Sequence, residues 1–198
     1  ALWKGGAGMI AVIDYGVGNL FSLQHSLEFV GAEATVSGEA AVLRQADKLI
    51  LPGVGAFGDA AQKLRDTGLD QMVLEEAAKG KPLMGICLGM QLLFEESEEY
   101  GLHRGLGLLQ GKVVAMEGRL PQGLPIPHIG WNGLKLTAPA CPLFRDTKEG
   151  DCVYFVHSFY AEGCEESLAA TAEYGLDLTA AVWKDNIYGC QFHPEKSG

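Results

Sequence analysis

Three short stretches place reactive side chains at spacings that chemistry can use. Gly85-Ile86-Cys87-Leu88-Gly89 sets one cysteine between two glycines, at the junction of two apolar runs. That is the spacing of a nucleophile elbow, with Cys in place of Ser, which needs a strand before the nucleophile and a helix after it. The flanking glycines let the chain turn sharply without crowding the thiol. The start of a helix favours thiolate over thiol, because its free N–H groups and dipole stabilise negative charge. The plainer alternative is a buried structural cysteine, which is common. Gly189 to Glu195 offers a base and a group to orient it. His193 closes an apolar strand, and Glu195 lies two residues on, so in extended backbone both point the same way. Pro194 restricts the chain between them. The carboxylate can then fix one imidazole tautomer and stabilise the imidazolium. The plainer alternative is a surface His beside a surface Glu. The third stretch, Pro52-Gly53-Val54-Gly55-Ala56-Phe57-Gly58, follows a strand and carries three glycines. Its backbone N–H groups can approach a substrate closely and, with the N–H of Leu88, hold an oxyanion. A phosphate cradle is the rival reading, but neither GxGxxG nor GxxxxGK[ST] is matched. At three strand ends together, these stretches point to acyl transfer on a Cys-His-Glu site.

The elements that must position them follow from hydrophobic pattern. Met9 to Gly16 reads as a buried strand, and Asn19 to Gly31 as a helix with Leu20, Leu23, Leu27 and Val30 on one face. Asn19 can cap its start, and Gly31 sits where a C-cap glycine is expected. A short strand comes next, then a strand over Lys48 to Leu51, helical patterns through to Lys79, a strand over Pro82 to Cys87, and a helix from Leu88 through the run LGMQLLFEES. This alternation predicts an α/β fold with a mainly parallel sheet flanked by helices. From Gly105 onward short β-like runs separated by turns predict an extension of that sheet and a smaller antiparallel one. Neither an internal repeat nor a linker is visible. Residues 1–8 read as a leader outside the fold, and 9–198 as one domain. The chain stops after a strand with no closing helix, so a truncated or disordered C-terminal end is expected.

Bulk properties narrow the field. The 198 residues fit one domain with a sizeable core. A net charge of −10, from 15 Lys+Arg against 25 Asp+Glu, argues against a nucleic-acid binder. No apolar run approaches the roughly 20 residues of a membrane helix, so no membrane partner is expected. Five cysteines at irregular spacing, without CxxC, argue against a disulfide framework or a zinc site and for a reducing cytoplasm.

These residues together resemble the class I (triad) glutamine amidotransferases. The hallmarks are a PGxG loop, a G-x-C-x-G-x-Q elbow and a terminal H-P-E, matched here by Pro52 to Gly55, Gly85 to Gln91 and His193 to Glu195. IDYGVGNLFSL, GICLGMQLLFEESEE, PHIGWN, YFVHSFY and HPEKSG are further similar to the glutaminase subunits of imidazole glycerol phosphate synthases. The resemblance runs from Met9 to Gly198. It implies the flavodoxin-like fold of the class and hydrolysis of L-glutamine through a Cys87 thioester. His193 would be base and acid, Glu195 its orienter, and the N–H groups of Val54 and Leu88 the oxyanion hole. It implies that Gly53, Gly55, Gln91, Glu99 and the stretch His157-Ser158-Phe159 meet the glutamine, and that no metal or cofactor is used. The implied partner is a (β/α)₈ cyclase subunit that receives the ammonia, with Trp131, Tyr154 and Lys196 facing it. Alternatives are a glutaminase serving pyridoxal phosphate, anthranilate or guanylate synthesis, a silent scaffold, or a cysteine peptidase. His25, His103 and the cysteines other than Cys87 read as bland, and no chemical role suggests itself for His128.

Overall fold

Ile-Ala-Val-Ile at Ile10–Ile13 is buried throughout, as a strand covered on both faces requires. This strand, β1, begins the computed structural model, which describes residues 8–198. The leader read over 1–8 therefore lies, except for Gly8, outside the described residues. Helix α1 (Leu20–Phe29) follows, with Asn19 Oδ1 accepting from the Ser22 N–H at 3.3 Å. Gly31, at φ +78°, ends it in the left-handed conformation. Of the face expected to be apolar only Leu23 is fully buried, and Val30 is 47% exposed. Next come β2 (Ala34–Ser37), α2 (Ala40–Gln45), β3 (Lys48–Leu51), α3 (Phe57–Asp66), α4 (Leu69–Ala78) and β4 (Leu83–Ile86). The six residues of α2 were too few to show a helical period in the sequence.

After β4 the structure departs from expectation. Helix α5 (Leu88–Gln91) is a single turn, not a helix running from Leu88 through Ser97, and strand β5 (Phe94–Ser97) follows it. Leu92, Leu93 and Phe94 are all at or below 1% exposure. Three consecutive buried apolar residues do not suit a helix that can bury one face. The backbone here also has other partners: the Leu93 carbonyl accepts from the N–H groups of Leu108 and Leu109. The rest of the chain is β-rich: β6 (His103–Arg104), β7 (Leu109–Ala115), β8 (His128–Gly133), β9 (Lys135–Leu136), β10 (Cys152–His157), β11 (Phe159–Glu162), β12 (Leu168–Glu173), β13 (Asp177–Lys184) and β14 (Ile187–Cys190).

The main sheet runs β2-β1-β3-β4-β14-β13-β12-β9. Its first five strands are parallel and the rest antiparallel. The expected small antiparallel sheet is two sheets: the antiparallel pair β10-β8 and the mixed β11-β7-β5-β6, where β5 and β7 run parallel. Alternate residues of β1 feed two cores. Ala11 and Ile13 pack with α2, α3 and α4, while Ile10 and Val12 pack with Leu23 of α1, Phe144 and Phe155. The carboxyl ends of β3, β4 and β14 lie side by side, and the three reactive stretches leave the sheet there.

Candidate active site

Cys87 links β4 to α5 with φ 53° and ψ −115°, a conformation that non-glycine residues rarely adopt. Its N–H donates to the Cys190 carbonyl at 2.8 Å, and its carbonyl accepts from the Gln91 N–H at 3.2 Å, so main chain on both sides holds the strained residue. The flanking glycines serve packing more than access. A Cβ on Gly89 would stand 1.8 Å from the Leu51 carbonyl oxygen, and one on Gly85 2.6 Å from that of Gly89. Only bare backbone lets the α5 turn press onto the ends of β3 and β4. Because α5 is one turn, little of the expected macrodipole is present, and stabilisation of a thiolate falls to local donors.

His193 and Glu195 follow β14, the neighbour of β4. His193 Nδ1 lies 2.7 Å from Glu195 Oε1, and both side chains are 5% exposed. Nδ1 being engaged, Nε2 is left for the Cys87 thiol, which lines the same cavity. Burial pulls the His193 pKa down, but the hydrogen bonds and negative charge of Cys87 and Glu195 outweigh it and bring it to about 9. Glu195 Oε2 is buried and takes no hydrogen bond. The carboxylate thus depends on the imidazolium for its compensation.

The third stretch leaves β3 as a loop pinned at both ends. Tyr15 Oη donates to the Pro52 carbonyl at 2.7 Å, and Glu99 Oε2 accepts from the Phe57 N–H at 3.1 Å. Burial, helped by the charge on Cys87, raises the Tyr15 hydroxyl well above the ordinary phenol range, so it stays a donor. Burial likewise raises Glu99. Between the pins, Gly55 has φ +92° and Val54 is 46% exposed.

A cavity of about 380 Å³ joins these parts. Cys87 and His193 meet there with Val54, Gly55 and Leu88 on one side, and with Gln91, Glu99, His157, Ser158 and Phe159 around the rest. Gly53 is not part of the wall. It lies behind the loop, where a Cβ would meet Tyr15 Oη at 2.9 Å and the Gly89 N at 3.0 Å. Both hydrogens of Gln91 Nε2 are taken, by the Phe159 carbonyl at 3.2 Å and Gln191 Oε1 at 3.0 Å, so its Oε1 is what can meet a ligand. Trp131, Tyr154 and Lys196 stand outside the cavity but close together. The Trp131 and Tyr154 rings are 6.1 Å apart, and Lys196 Nζ lies 6.0 Å from the Tyr154 ring centre. The Tyr154 carbonyl accepts from the His193 N–H at 3.0 Å, so this cluster abuts His193.

Sequence reasoning missed Tyr15 and Gln191 and left His128 without a role. His128 is buried between the rings of Tyr174 and Phe155 and bonded to His157. A signal existed for Gln191. It is an amide in an otherwise apolar run, two residues before His193 and so on the same side. Among the described residues no group of three His, Cys, Asp or Glu side chains converges as a metal site requires, and no helix is long and apolar enough to cross a membrane.

A strained cysteine, a buried imidazole held by a carboxylate, and a glycine loop around a small cavity define a class of protein: an acyl-transferring enzyme on an open α/β sheet. The model of the glutamine amidotransferase class-I family matches residues 11–198, and the chain belongs to that family. It is 50% identical over 193 residues to the imidazole glycerol phosphate synthase subunit HisH of Syntrophotalea carbinolica, spanning 96% of this chain and 93% of that protein. To the subunit HisH of Bacillus licheniformis it is 54% identical over 192 residues, spanning 96% and 90%. In fold it resembles the solved PurLQS of Thermotoga maritima, with a TM-score of 0.74 at 23% identity over 94% of this chain and 87% of that one. Within its family, the chain therefore groups with the HisH subunits, glutamine amidotransferases of histidine biosynthesis.

Proposed function

We propose that this chain hydrolyses L-glutamine at Cys87 and passes the ammonia to a (β/α)₈ cyclase subunit. The observation that carries the reading is the alignment of Cys87, His193 and Glu195 at one cavity of amino-acid size. The Cys87 thiol gives its proton to His193 Nε2 and the sulfur attacks the carboxamide carbon, forming the C–S bond, opening the C=O π bond and placing negative charge on the oxygen. The N–H groups of Leu88 and Val54 receive that oxygen, the latter after the peptide between the two pins of the loop reorients. His193 delivers its proton to the nitrogen, the C–N bond breaks, and ammonia leaves a glutamyl thioester. His193 then takes a proton from water, hydroxide adds to the thioester carbon, and thiolate departs from glutamate. Glu195 keeps the imidazole in register and stabilises its cationic form throughout. Gln91 Oε1, Glu99 and the backbone of Ser158 and Phe159 orient the amino acid.

Trp131, Tyr154 and Lys196 form the mouth that the cyclase covers. An exposed Trp131 against a half-buried Tyr154, beside a cation, makes a serviceable interface anchor. Residues 9–198 act as one catalytic domain, and a reducing cytoplasm suits the five unpaired cysteines. The test is glutamate release from glutamine by the chain alone, then with a histidine-pathway cyclase and its nucleotide ligand. Stimulation by partner and ligand, abolished in Cys87→Ala, is expected. Activity indifferent to the cyclase would move the chain to another acceptor, and activity surviving in Cys87→Ala would sink the site.

A further inference from the structure

Gln191 has no part in the chemistry above, yet it is fully buried and its Nε2 lies 3.7 Å from Cys87 Sγ. Its orientation follows from the donors and acceptors around it. The Phe159 carbonyl oxygen can only accept, so Gln91 must turn its NH₂ toward it. The second hydrogen of that NH₂ goes to Gln191, which must offer Oε1. Gln191 is then left with its own NH₂ facing the sulfur. Its amide oxygen and nitrogen are both partnered, as a buried amide needs.

The same carbonyl anchors a second arm. His157 Nδ1–H donates to the Phe159 oxygen at 2.8 Å, which makes His157 Nε2 an acceptor. His128 Nδ1–H donates to it at 3.0 Å, and His128 Nε2 faces Asn132 Nδ2 at 3.4 Å. Asn132 gives its other hydrogen to the Glu173 carbonyl at 2.8 Å. Two backbone oxygens that cannot donate thus bound the arm and fix the direction of every bond in it. Burial holds both histidines below their ordinary pKa, His157 at about 3, so both stay neutral as the scheme requires.

We propose that Gln191 is the positioning residue of the nucleophile: it donates an N–H to the Cys87 sulfur, and the Phe159 carbonyl, braced by His157 and His128, holds its amide the right way round. The proposal rests on Cys87 being the nucleophile. It supplies the local donor that the single turn of α5 does not provide through a macrodipole. It also gives His128 a function, as the strut between β8 and the cavity.

The test compares Gln191→Leu, Gln191→Glu and His128→Phe with the parent chain. Iodoacetamide labelling is followed peptide by peptide, with exposed Cys152 as internal standard, and kcat and KM for glutamine are measured with the cyclase bound. Gln191→Leu is expected to slow Cys87 labelling about tenfold, a factor within reach of a hydrogen bond to a charged group. Cys152 labelling stays unchanged, kcat falls in parallel and KM holds. Gln191→Glu keeps the shape but faces the sulfur with an acceptor, so it loses at least as much and serves if the leucine variant does not fold. His128→Phe keeps the ring stack and removes the strut, so it loses roughly threefold, as for one weakened neutral hydrogen bond. Parent rates of Cys87 labelling in folded Gln191→Leu or Gln191→Glu, or a loss confined to KM, would overturn the proposal. A parent rate in His128→Phe would overturn the strut. Labelling needs no turnover, so a parent chain that releases no glutamate would sink the glutaminase reading alone.

Discussion

The cavity has two walls, and they are built by different means. The wall carrying Cys87 and Leu88 is fixed by main chain, and the loop from Pro52 to Phe57 beside it is pinned by Tyr15 and Glu99. Bare glycines press the α5 turn onto β3 and β4, and strand carbonyls hold the elbow. The wall carrying His157, Ser158 and Phe159 is fixed by side chains, through two buried histidines, two glutamines and an asparagine strung from the Phe159 carbonyl to the Glu173 carbonyl and to Cys87. Main-chain packing at van der Waals limits admits no substitution that adds a Cβ. A hydrogen-bond network degrades bond by bond. The first wall should therefore fail all at once and the second by degrees.

The largest effect expected on the first wall is chemical. Cys87→Ala should abolish glutamine hydrolysis, by a factor of about 10⁴ or more for loss of a covalent nucleophile, while the chain still unfolds cooperatively by calorimetry. Gly89→Ala should destabilise the fold by about 3 kcal/mol or more, because the Leu51 carbonyl is backbone and cannot swing away. A melting temperature within a degree or two of the parent would show that the elbow can move, and would erase the contrast between the walls. Trp131→Ala should weaken cyclase binding by about 2 kcal/mol, as an exposed aromatic anchor does. It should leave Cys87 labelling in the lone chain untouched, which titration calorimetry and labelling can check together. Tyr15→Phe is the mildest: loss of one buried hydrogen bond to Pro52 should cost about 1 kcal/mol by urea titration.

His193 joins the walls and gives the pH dependence its sign. Its folded pKa of about 9 lies above the roughly 6.5 of an unfolded histidine. The native state binds the proton more tightly, so this stabilisation is complete below about 6.5 and is lost as pH rises through 9. Urea midpoints should fall over that window. The fall should shrink in Cys87→Ala and in Glu195→Gln, each of which removes a group that raises the pKa.

The same division explains what the sequence revealed. Glycines at Gly85, Gly89 and Gly55 mark backbone that must turn or approach closely, so the elbow, the loop and the strands beneath them were legible. His193-Pro194-Glu195 was legible because its partners are two residues apart. Gln91, Gln191 and Cys87 lie within one network although 100 residues separate the two glutamines. No local pattern encodes that contact. His128 meets His157 across β8 and β10, 29 residues apart, and Tyr15 meets Pro52 across 37. The helix expected beyond Gln91 failed for the same reason, since β7 and its approach supply the distant backbone partners that turn Phe94–Ser97 into a strand.

The most direct test of the central claim is to mix the cyclase-bound chain with glutamine, quench in acid and map the mass of the Cys87 peptide. A glutamyl adduct on that peptide, absent in Cys87→Ala, is the predicted result. Glutamate release with no adduct at any time point, at a rate unchanged in Cys87→Ala, would contradict it.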